Sequence, residues 1–125
     1  ILEKLPEGAV VRSPGMKYKH YAPKADVTLL NGTFEQFKAY VDAHMDQNPS
    51  CLCFTGEAEK LGVPCVEYGR EGDGADQAKH IFRSLRALDE QGDGIVYARC
   101  PQKDGLSMAV YTRLIRAAAF RVIDL

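Results

Sequence analysis

A cluster of cationic and aromatic side chains near the amino end of the chain carries the clearest chemical signal. The segment 13–23 reads SPGMKYKHYAP and contains no acidic residue. Its candidate binding residues are Ser13, Lys17, Tyr18, Lys19, His20 and Tyr21. In an extended chain Lys17, Lys19 and Tyr21 project to one side. Two ammonium groups suit a polyphosphate and tyrosine rings can stack on a base, so these residue types indicate nucleotide binding. A basic, hydrated linker is the simpler alternative.

A glycine-rich loop is the second candidate. The residues GREGDG, from Gly69 to Gly74, precede a predicted helix, where free backbone N–H groups could cradle a phosphate. The glycines fit neither the dinucleotide-binding pattern nor the P-loop pattern, and Glu71 and Asp73 would repel a phosphate. We therefore interpret this segment as a connecting loop.

The spacing of the four cysteines argues against disulfides and against a metal site. Cys51 and Cys53 are two residues apart on a predicted strand, so both side chains point to the same face. Cys65 and Cys100 lie on other apolar strands or at their ends, and the sequence has no C-x-x-C pair. We predict buried free thiols in a reducing compartment. A redox role for Cys51 and Cys53 is the remoter alternative.

The histidines and acidic residues form no recognisable catalytic pattern. His44 and His80 lie on predicted helices without a carboxylate or thiol at ligand spacing, and we interpret both as surface or boundary residues. The acidic pair Asp89 and Glu90 precedes Gly92 and fits a solvated helix end. We therefore expect neither catalytic residues nor a metal site in this chain, which then looks like a domain without a reaction of its own.

Five short apolar runs predict β-strands. They are Val27–Leu30, Cys51–Phe54, Pro64–Tyr68, Gly94–Cys100 and Arg121–Leu125. The first, second and fourth runs are almost continuously apolar, which is typical of strands covered on both faces.

Segments with helical periodicity separate these strands. Thr33 and Gln36 have the spacing of a capping box, and Pro49 follows the end of the first helix. Its apolar positions are Phe34, Phe37, Val41 and Met45. A short helical turn is expected from Glu57 to Leu61.

Two more helices are predicted in the second half of the chain. The longer one starts at Asp73 or Asp76 and is closed by Gly92. Its apolar positions are Ala78, Ile81, Phe82, Leu85 and Leu88. Asp104 can cap the last helix, whose apolar positions are Leu106, Ala109, Val110, Leu114 and Ala117.

The alternation of strands and helices predicts βαβ units with right-handed crossovers. The expected fold is a three-layer, Rossmann-like α/β domain with a mostly parallel five-stranded sheet over 27–125. An amino-terminal extension and extended interdomain linker precede it over 1–26. Ligands of such domains bind beyond the carboxyl ends of the strands, so a site is expected in the loops that follow Leu30, Phe54, Tyr68 and Cys100.

The segment SPGMKYKHYAPKA closely resembles the interdomain linker of two-domain threonylcarbamoyl-AMP synthases. HIFRSLRALDEQGDGI, from His80 to Ile95, is similar to a helix and strand of that family's C-terminal domain. GLSMAVYTRLIRAAA, from Gly105 to Ala119, resembles its last helix. Three positions depart from the family pattern: Ser107 replaces a glycine, Thr112 an asparagine and Arg116 a lysine.

The resemblance implies a parent nucleotidyltransferase that condenses L-threonine, bicarbonate and ATP, with Mg²⁺, to threonylcarbamoyl-AMP and pyrophosphate. That product serves the N6-threonylcarbamoyladenosine modification of tRNA. It also implies that catalysis belongs to an N-terminal domain, the main expected partner, and that the linker encloses ATP or the adenylate product. A tRNA-modifying transferase is a further candidate partner. The domain alone is expected to be inactive and to need no cofactor.

Composition adds limits on location and partners. The formal net charge of -1 predicts no overall attraction to nucleic acid or membrane. The longest apolar runs are far shorter than the roughly 20 residues that cross a bilayer, and a cytoplasmic location is expected. The chain starts at Ile1 without a methionine, as a piece of a longer protein would. A free-standing nucleotide-binding or regulatory module is the alternative function.

Overall fold

A parallel β-sheet forms the centre of the computed structural model, which describes residues 24–92 and 94–125. The five strands are β1 (Asp26–Asn31), β2 (Ser50–Cys53), β3 (Cys65–Glu67), β4 (Ile95–Arg99) and β5 (Val122–Asp124). They lie in the order β3-β2-β4-β1-β5, and every pair is parallel. All five predicted strands are confirmed. The proposed linker, apart from its last three residues, lies outside the described residues.

Three α-helices connect the strands. They are α1 (Phe34–Ala43), α2 (Gly74–Gln91) and α3 (Gly105–Ala117), with short 3-10 turns at Met45–Gln47 and Ala58–Lys60. α1 packs on one face of the sheet, and α2 and α3 pack on the other. The predicted three-layer α/β architecture is therefore confirmed. No helix within the described ranges combines the length and apolar character needed to span a membrane.

Strand β4 occupies the middle of the sheet, although it is fourth in sequence. Val27 of β1 pairs with Val96, and Leu52 of β2 pairs with Ala98. The connection from β1 to β2 therefore passes over the position that β4 later fills. As a result, the carboxyl ends of β1, β2 and β4 lie side by side.

The core has two parts, one on each face of the sheet. The larger part joins the sheet to α2 and α3 and includes Val27, Leu29, Leu52, Ile81, Leu88, Ala98, Val110 and Leu114. The smaller part lies beneath α1 and includes Leu30, Phe37, Val41, Cys51, Cys53, Leu61 and Tyr97. Full burial of one such aliphatic side chain stabilises the fold by roughly 1.5–3 kcal/mol.

Helix α1 begins as its sequence predicts. Thr33 Oγ1 accepts a hydrogen bond from the Gln36 N–H at 3.1 Å, and Gln36 Oε1 accepts one from the Thr33 N–H at 2.9 Å. The expectation for Met45 was wrong, because the helix ends at Ala43 and Met45 is 44% exposed in the following 3-10 turn.

Helices α2 and α3 present somewhat different faces to the core than their apolar residues predict. Asp73, and not Asp76, is the N-cap of α2. Four expected core positions are exposed: Ala78, Phe82, Leu106 and Ala109. Gln77, Ser84 and Ser107 are buried instead. Ser84 can be buried because its hydroxyl donates to the Glu67 carbonyl at 2.9 Å. The Phe82 ring is covered by the Arg113 guanidinium at 4.0 Å.

Backbone groups close the helices at the amino end of the sheet. Gly92 ends α2 as predicted, with φ 105°. α3 ends without a glycine, and Ala119 and Phe120 have φ 53° and 64°. The Phe120 N–H donates to the Ile115 carbonyl at 2.8 Å and the Ala119 N–H to the Arg116 carbonyl at 3.0 Å. This pair of bonds is a Schellman motif with alanine in the position that glycine usually occupies.

Candidate functional site

A buried arginine lies at the carboxyl end of β4. Arg99 is 2% exposed, and its guanidinium contacts the loops that follow three other strands. Nη1 donates to the Gly32 carbonyl at 2.8 Å, Nε lies 3.2 Å from Glu57 Oε1, and Nη2 lies 2.8 Å from Glu71 Oε2. One side chain therefore joins the ends of β1, β2 and β3, where ligands of Rossmann-like domains bind.

The surroundings of Arg99 exclude water from most of its charge. The guanidinium carbon lies 4.9 Å from the centre of the Phe54 ring, and Phe37 and Phe34 flank it at 5.8 and 5.9 Å. Glu57 is also buried, and its Oε1 accepts a further hydrogen bond from the Phe54 N–H at 3.1 Å. Burial of a charge is tolerated when partners of opposite charge and hydrogen bonds satisfy it. The geometry gives Arg99 a structural role in holding the loops together.

Two residues at the end of β3 extend this network. Glu67 Oε2 accepts from the Gly56 N–H at 3.0 Å, so its carboxylate fixes the loop after β2. The Tyr68 hydroxyl donates to the Arg99 carbonyl at 2.7 Å, and burial raises the pKa of Tyr68 well above its ordinary value. The phenol therefore remains a neutral donor. Ion pairs and hydrogen bonds within the chain occupy this part of the carboxyl end.

An open groove of about 560 Å³ lies beside the network, between the first turns of α2 and α3. It is lined by the segments 70–75 and 102, 104–107. Beside the Arg70 guanidinium, which pairs with Asp73, three carboxylates line it, those of Glu71, Asp73 and Asp104. They would repel a phosphate group, which favours the interpretation of Gly69–Gly74 as a connecting loop.

Hydrogen bonds within the glycine-rich loop use several of its donors. The Asp73 carboxylate accepts from the Asp76 N–H at 3.0 Å, and the Arg70 guanidinium pairs with Asp73 at 2.9 Å. The Arg70 N–H donates to Asp76 Oδ2 at 2.9 Å, and this bond is the main cause that lowers the pKa of Asp76. The loop is thus stabilised by its own exposed charges.

Two glycines allow close backbone packing around the groove. A Cβ atom on Gly74 would lie 2.7 Å from both the N and the Oγ of Ser107, so the first turns of α2 and α3 can touch. Gly69 has φ +114°, and a Cβ there would lie 2.9 Å from the Gln77 backbone. These contacts explain why glycine occupies positions 69 and 74.

The candidate nucleotide-binding residues of the linker lie outside the described residues. They are Ser13, Lys17, Tyr18, Lys19, His20 and Tyr21. Their role stays a prediction. The described chain begins at Lys24, whose N–H donates to Asp89 Oδ1 at 2.8 Å in the last turns of α2. The chain therefore enters the domain at the amino end of the sheet, opposite the Arg99 network.

The remaining candidates are the histidines and the cysteines. His44 and His80 are half-buried, as expected, and each ring hydrogen-bonds a carbonyl one turn earlier, at 2.7 and 2.8 Å. The expectation of no carboxylate nearby was wrong for His80, because its Nδ1 lies 3.4 Å from Asp76 Oδ1. Cys51 and Cys53 are buried, as expected, but Cys65 and Cys100 are only partly buried. Over 24–92 and 94–125, no group of three or more His, Cys, Asp or Glu side chains is arranged to hold a metal ion.

The Arg99 network was missed by the sequence analysis. One signal was available, because Arg99 is a charged residue in the second-last position of the otherwise apolar predicted strand Gly94–Cys100. Its partners Glu57 and Glu71 lie in loops whose mutual positions depend on the strand order, which local periodicity does not determine.

The fold and the site together define a Rossmann-like α/β domain. The loops at the carboxyl end of its sheet are held together by side chains of the domain itself. The chain belongs to the family described as "Threonylcarbamoyl-AMP synthase, C-terminal domain", whose model matches residues 2–119. This finding confirms the resemblance seen in the sequence.

Known relatives give the same assignment. The threonylcarbamoyl-AMP synthase of Pyrococcus abyssi is 30% identical over 119 residues, which cover 90% of this chain and 33% of the relative. That of Bacillus subtilis is 32% identical over 115 residues, which cover 89% of this chain and 33% of the relative. The chain thus spans about a third of the length of these relatives.

The structural comparison supports the fold. The crystal structure of P. abyssi Sua5 complexed with L-threonine matches with a TM-score of 0.70 at 22% identity, over 96% of this chain and 36% of the other.

Proposed function

We propose that this chain is the C-terminal accessory part of a threonylcarbamoyl-AMP synthase, and that its basic linker helps to close the ATP site of an N-terminal catalytic domain. The observation that carries the proposal is the family match over residues 2–119 in a chain that spans about a third of its relatives. The reaction of the whole enzyme would condense L-threonine, bicarbonate and ATP to threonylcarbamoyl-AMP and pyrophosphate, for threonylcarbamoyladenosine formation in cytoplasmic tRNA.

The carboxyl end of the sheet supports an anchoring role for the domain. Arg99 is already paired with Glu57 and Glu71, and the adjacent groove carries three carboxylates. A nucleotide phosphate would have to displace these pairs or approach like charges, and both are unfavourable. This arrangement favours a domain that positions the linker over one that binds a nucleotide itself.

The composition of the linker supports a contact with ATP. Lys17 and Lys19 carry two ammonium groups, which would lie on the same side if the segment is extended and would then suit the triphosphate. His20 and Tyr21 follow directly and can cover the base or the sugar. Mg²⁺ would accompany ATP as part of the substrate in the catalytic domain.

The test compares two double variants of the full-length enzyme. Replacement of Lys17 and Lys19 by alanine should lower kcat/KM for ATP at least about tenfold, since a charge-assisted contact is worth about 1.5–3 kcal/mol. Replacement of both by arginine keeps the charges and is the matched control, with a much smaller loss expected. Melting curves of both variants should match the wild type. Unchanged efficiency in the double alanine variant would show that the linker is a tether.

A second measurement distinguishes the accessory domain from a free-standing module. The 125-residue chain, incubated with threonine, bicarbonate and Mg-ATP, should release no pyrophosphate. Calorimetric titration with ATP should show no binding at micromolar concentrations. Pyrophosphate release by the isolated chain would contradict the accessory role, and tight ATP binding would favour the free-standing module.

A further inference from the structure

Three thiols gather on the sheet face beneath α1. Cys51 and Cys53 of β2 belong to the core on that side, and Cys65 of β3 packs against it. Cys51 and Cys65 are register partners in the parallel pair of β2 and β3. Neighbouring strands lie about 4.8 Å apart, which falls within the Cα separations of roughly 4.4–6.8 Å that disulfides span. The two thiols are therefore placed for a bond across the strands.

The register distinguishes Cys51 from Cys53. Cys53 is paired with Glu67, so it lies diagonally from Cys65. Diagonal neighbours are about 7–8 Å apart, beyond the Cα separations of roughly 4.4–6.8 Å that disulfides span, although the Cys53 thiol is still close enough to hydrogen-bond Cys65. Cys51 and Cys53 are both completely buried, whereas Cys65 is partly exposed. A small oxidant from solvent would reach Cys65 first, and Cys51 would then be the nearest partner.

The surroundings of Cys65 favour its reactive form. As a thiol it donates to the Val63 carbonyl at 3.2 Å. Hydrogen bonds from the thiols of Cys51 and Cys53 lower the pKa of Cys65, and the same contacts, together with burial, raise the pKa of Cys51 and Cys53. The thiolate is the nucleophilic form of cysteine, so Cys65 is the first of the three cysteines to react. A buried thiol then attacks the oxidised Cys65.

We propose that Cys65 and Cys51 are a peroxide-sensitive dithiol that closes to a disulfide between β3 and β2. The Cys65 thiolate attacks one oxygen of hydrogen peroxide, the O–O bond breaks, and hydroxide leaves to become water. The sulfenic acid formed on Cys65 is then attacked by the Cys51 sulfur. The S–O bond breaks, and the departing oxygen leaves as water with the Cys51 proton. Overall, two thiols lose two electrons to one peroxide, which becomes two waters.

The disulfide would join the outermost strand β3 to the interior of the sheet. β3 leads into the loop that carries Glu71, so the bond fixes the start of that loop. Exposure on the Cys65 side leaves the disulfide open to attack by small thiols, and such disulfides are readily reduced. The modification is therefore reversible.

The test treats the reduced chain with a small excess of hydrogen peroxide, alkylates the remaining thiols and analyses a non-reducing tryptic digest by mass spectrometry. Cys51 and Cys53 fall on one tryptic peptide, 39–60, and Cys65 on the next, 61–70. The expected product is these two peptides joined, two hydrogens lighter than their sum, and separated again by dithiothreitol. Cys100 should remain fully alkylated.

Single variants identify which two cysteines form the disulfide. Cys65→Ser should abolish the linked peptide, and Cys53→Ser, the matched control, should retain it. Cys51→Ala should leave a sulfenic acid on Cys65 that dimedone traps. Melting curves under reducing conditions confirm that each variant is folded. Loss of the link in Cys53→Ser, a link between two chains, or four thiols that stay alkylatable in the wild type would each overturn the proposal.

Discussion

The two ends of the sheet are held together by different kinds of interaction. At the carboxyl end, the Arg99 side chain links three loops through ion pairs and a carbonyl contact. At the amino end, α2 and α3 close through backbone hydrogen bonds at Gly92 and Ala119. The carboxyl end thus depends on a buried charge, and the amino end depends on backbone conformation.

This difference shows where single changes should matter most. A buried ion pair becomes a large liability when one partner is lost, because the other charge stays desolvated. At the end of a helix, a residue other than glycine in the left-handed region costs about 1–2 kcal/mol of strain, and relief of that strain can raise stability. We therefore expect large losses at the carboxyl end and a small gain at the amino end.

The largest effect is expected for Arg99→Met. The change leaves Glu57 buried without its partner, and it should lower the free energy of unfolding by about 3–5 kcal/mol in urea denaturation. Arg70→Met is the matched control, since the Arg70 side chain is 68% exposed and its surface pairs are worth about 0–1 kcal/mol.

A double variant separates pairing from packing. Arg99→Met combined with Glu57→Leu should be more stable than Arg99→Met alone, because no buried carboxylate is left unpaired. A loss below about 1 kcal/mol for Arg99→Met would show that the network does not hold the loops, and the contrast between the two ends would fail.

The second effect concerns backbone packing at the carboxyl end. Gly74→Ala places a Cβ 2.7 Å from the Ser107 backbone N, and the resulting strain should cost about 1–3 kcal/mol in urea denaturation. Gly62→Ala is the control, because no atom lies within 4 Å of the added Cβ and φ is not in the left-handed region. Equal stability of the two variants would mean that α2 and α3 can separate at little cost.

The third effect is a gain at the amino end. Ala119→Gly removes a side chain from a residue with φ 53° and should stabilise the chain by up to about 1 kcal/mol, the strain relieved less the entropy of glycine. Ala109→Gly, an exposed position inside α3, should instead destabilise by about 1 kcal/mol. A rise in Tm for Ala119→Gly is the expected observation; a fall of similar size in both variants would refute the strained cap.

The smallest effect is a pH dependence in the glycine-rich loop. The hydrogen bond from the Arg70 N–H lowers the pKa of Asp76 from 3.8, so the folded state favours the carboxylate. Its contribution is present above pH 3.8 and is lost as the pH falls through the lower native pKa. The Tm advantage of the wild type over Asp76→Asn should therefore shrink in acid. An advantage that is constant down to about pH 2 would exclude this linkage.

Much of the fold could be predicted because its signals are local. The capping box at Thr33 and Gln36, and the closure of α2 at Gly92, are written in neighbouring residues. The strand order could not be derived, since apolar runs identify strands but not their neighbours. Arg99 shows the consequence, because its partners are brought together by an order in which β4 lies between β2 and β1.

The faces of α2 and α3 were harder to predict for a different reason. Hydrophobic periodicity assigns Phe82 to the core, but the Arg113 guanidinium covers its ring at the surface. Polar Gln77 is buried with its Nε2 donating to the Arg70 carbonyl at 2.8 Å, while its Oε1 finds no hydrogen-bond partner among the described residues. The partner of Phe82 lies on another helix, and the partner of Gln77 is a backbone carbonyl in the loop before α2. A pattern of apolar spacing contains neither contact.

The strand order also decides how the domain behaves at high concentration. Of the strands formed by residues 24–92 and 94–125, the outermost, β3 and β5, are each three residues long. A second chain that added a strand to either side would gain few backbone hydrogen bonds, and each of these strands carries an acidic residue, Glu67 or Asp124. Short, charged outer strands are poor templates for strand addition. The longer apolar strands β1 and β4, which could seed fibrils, are enclosed within the sheet, so the sheet resists polymerisation through its sides.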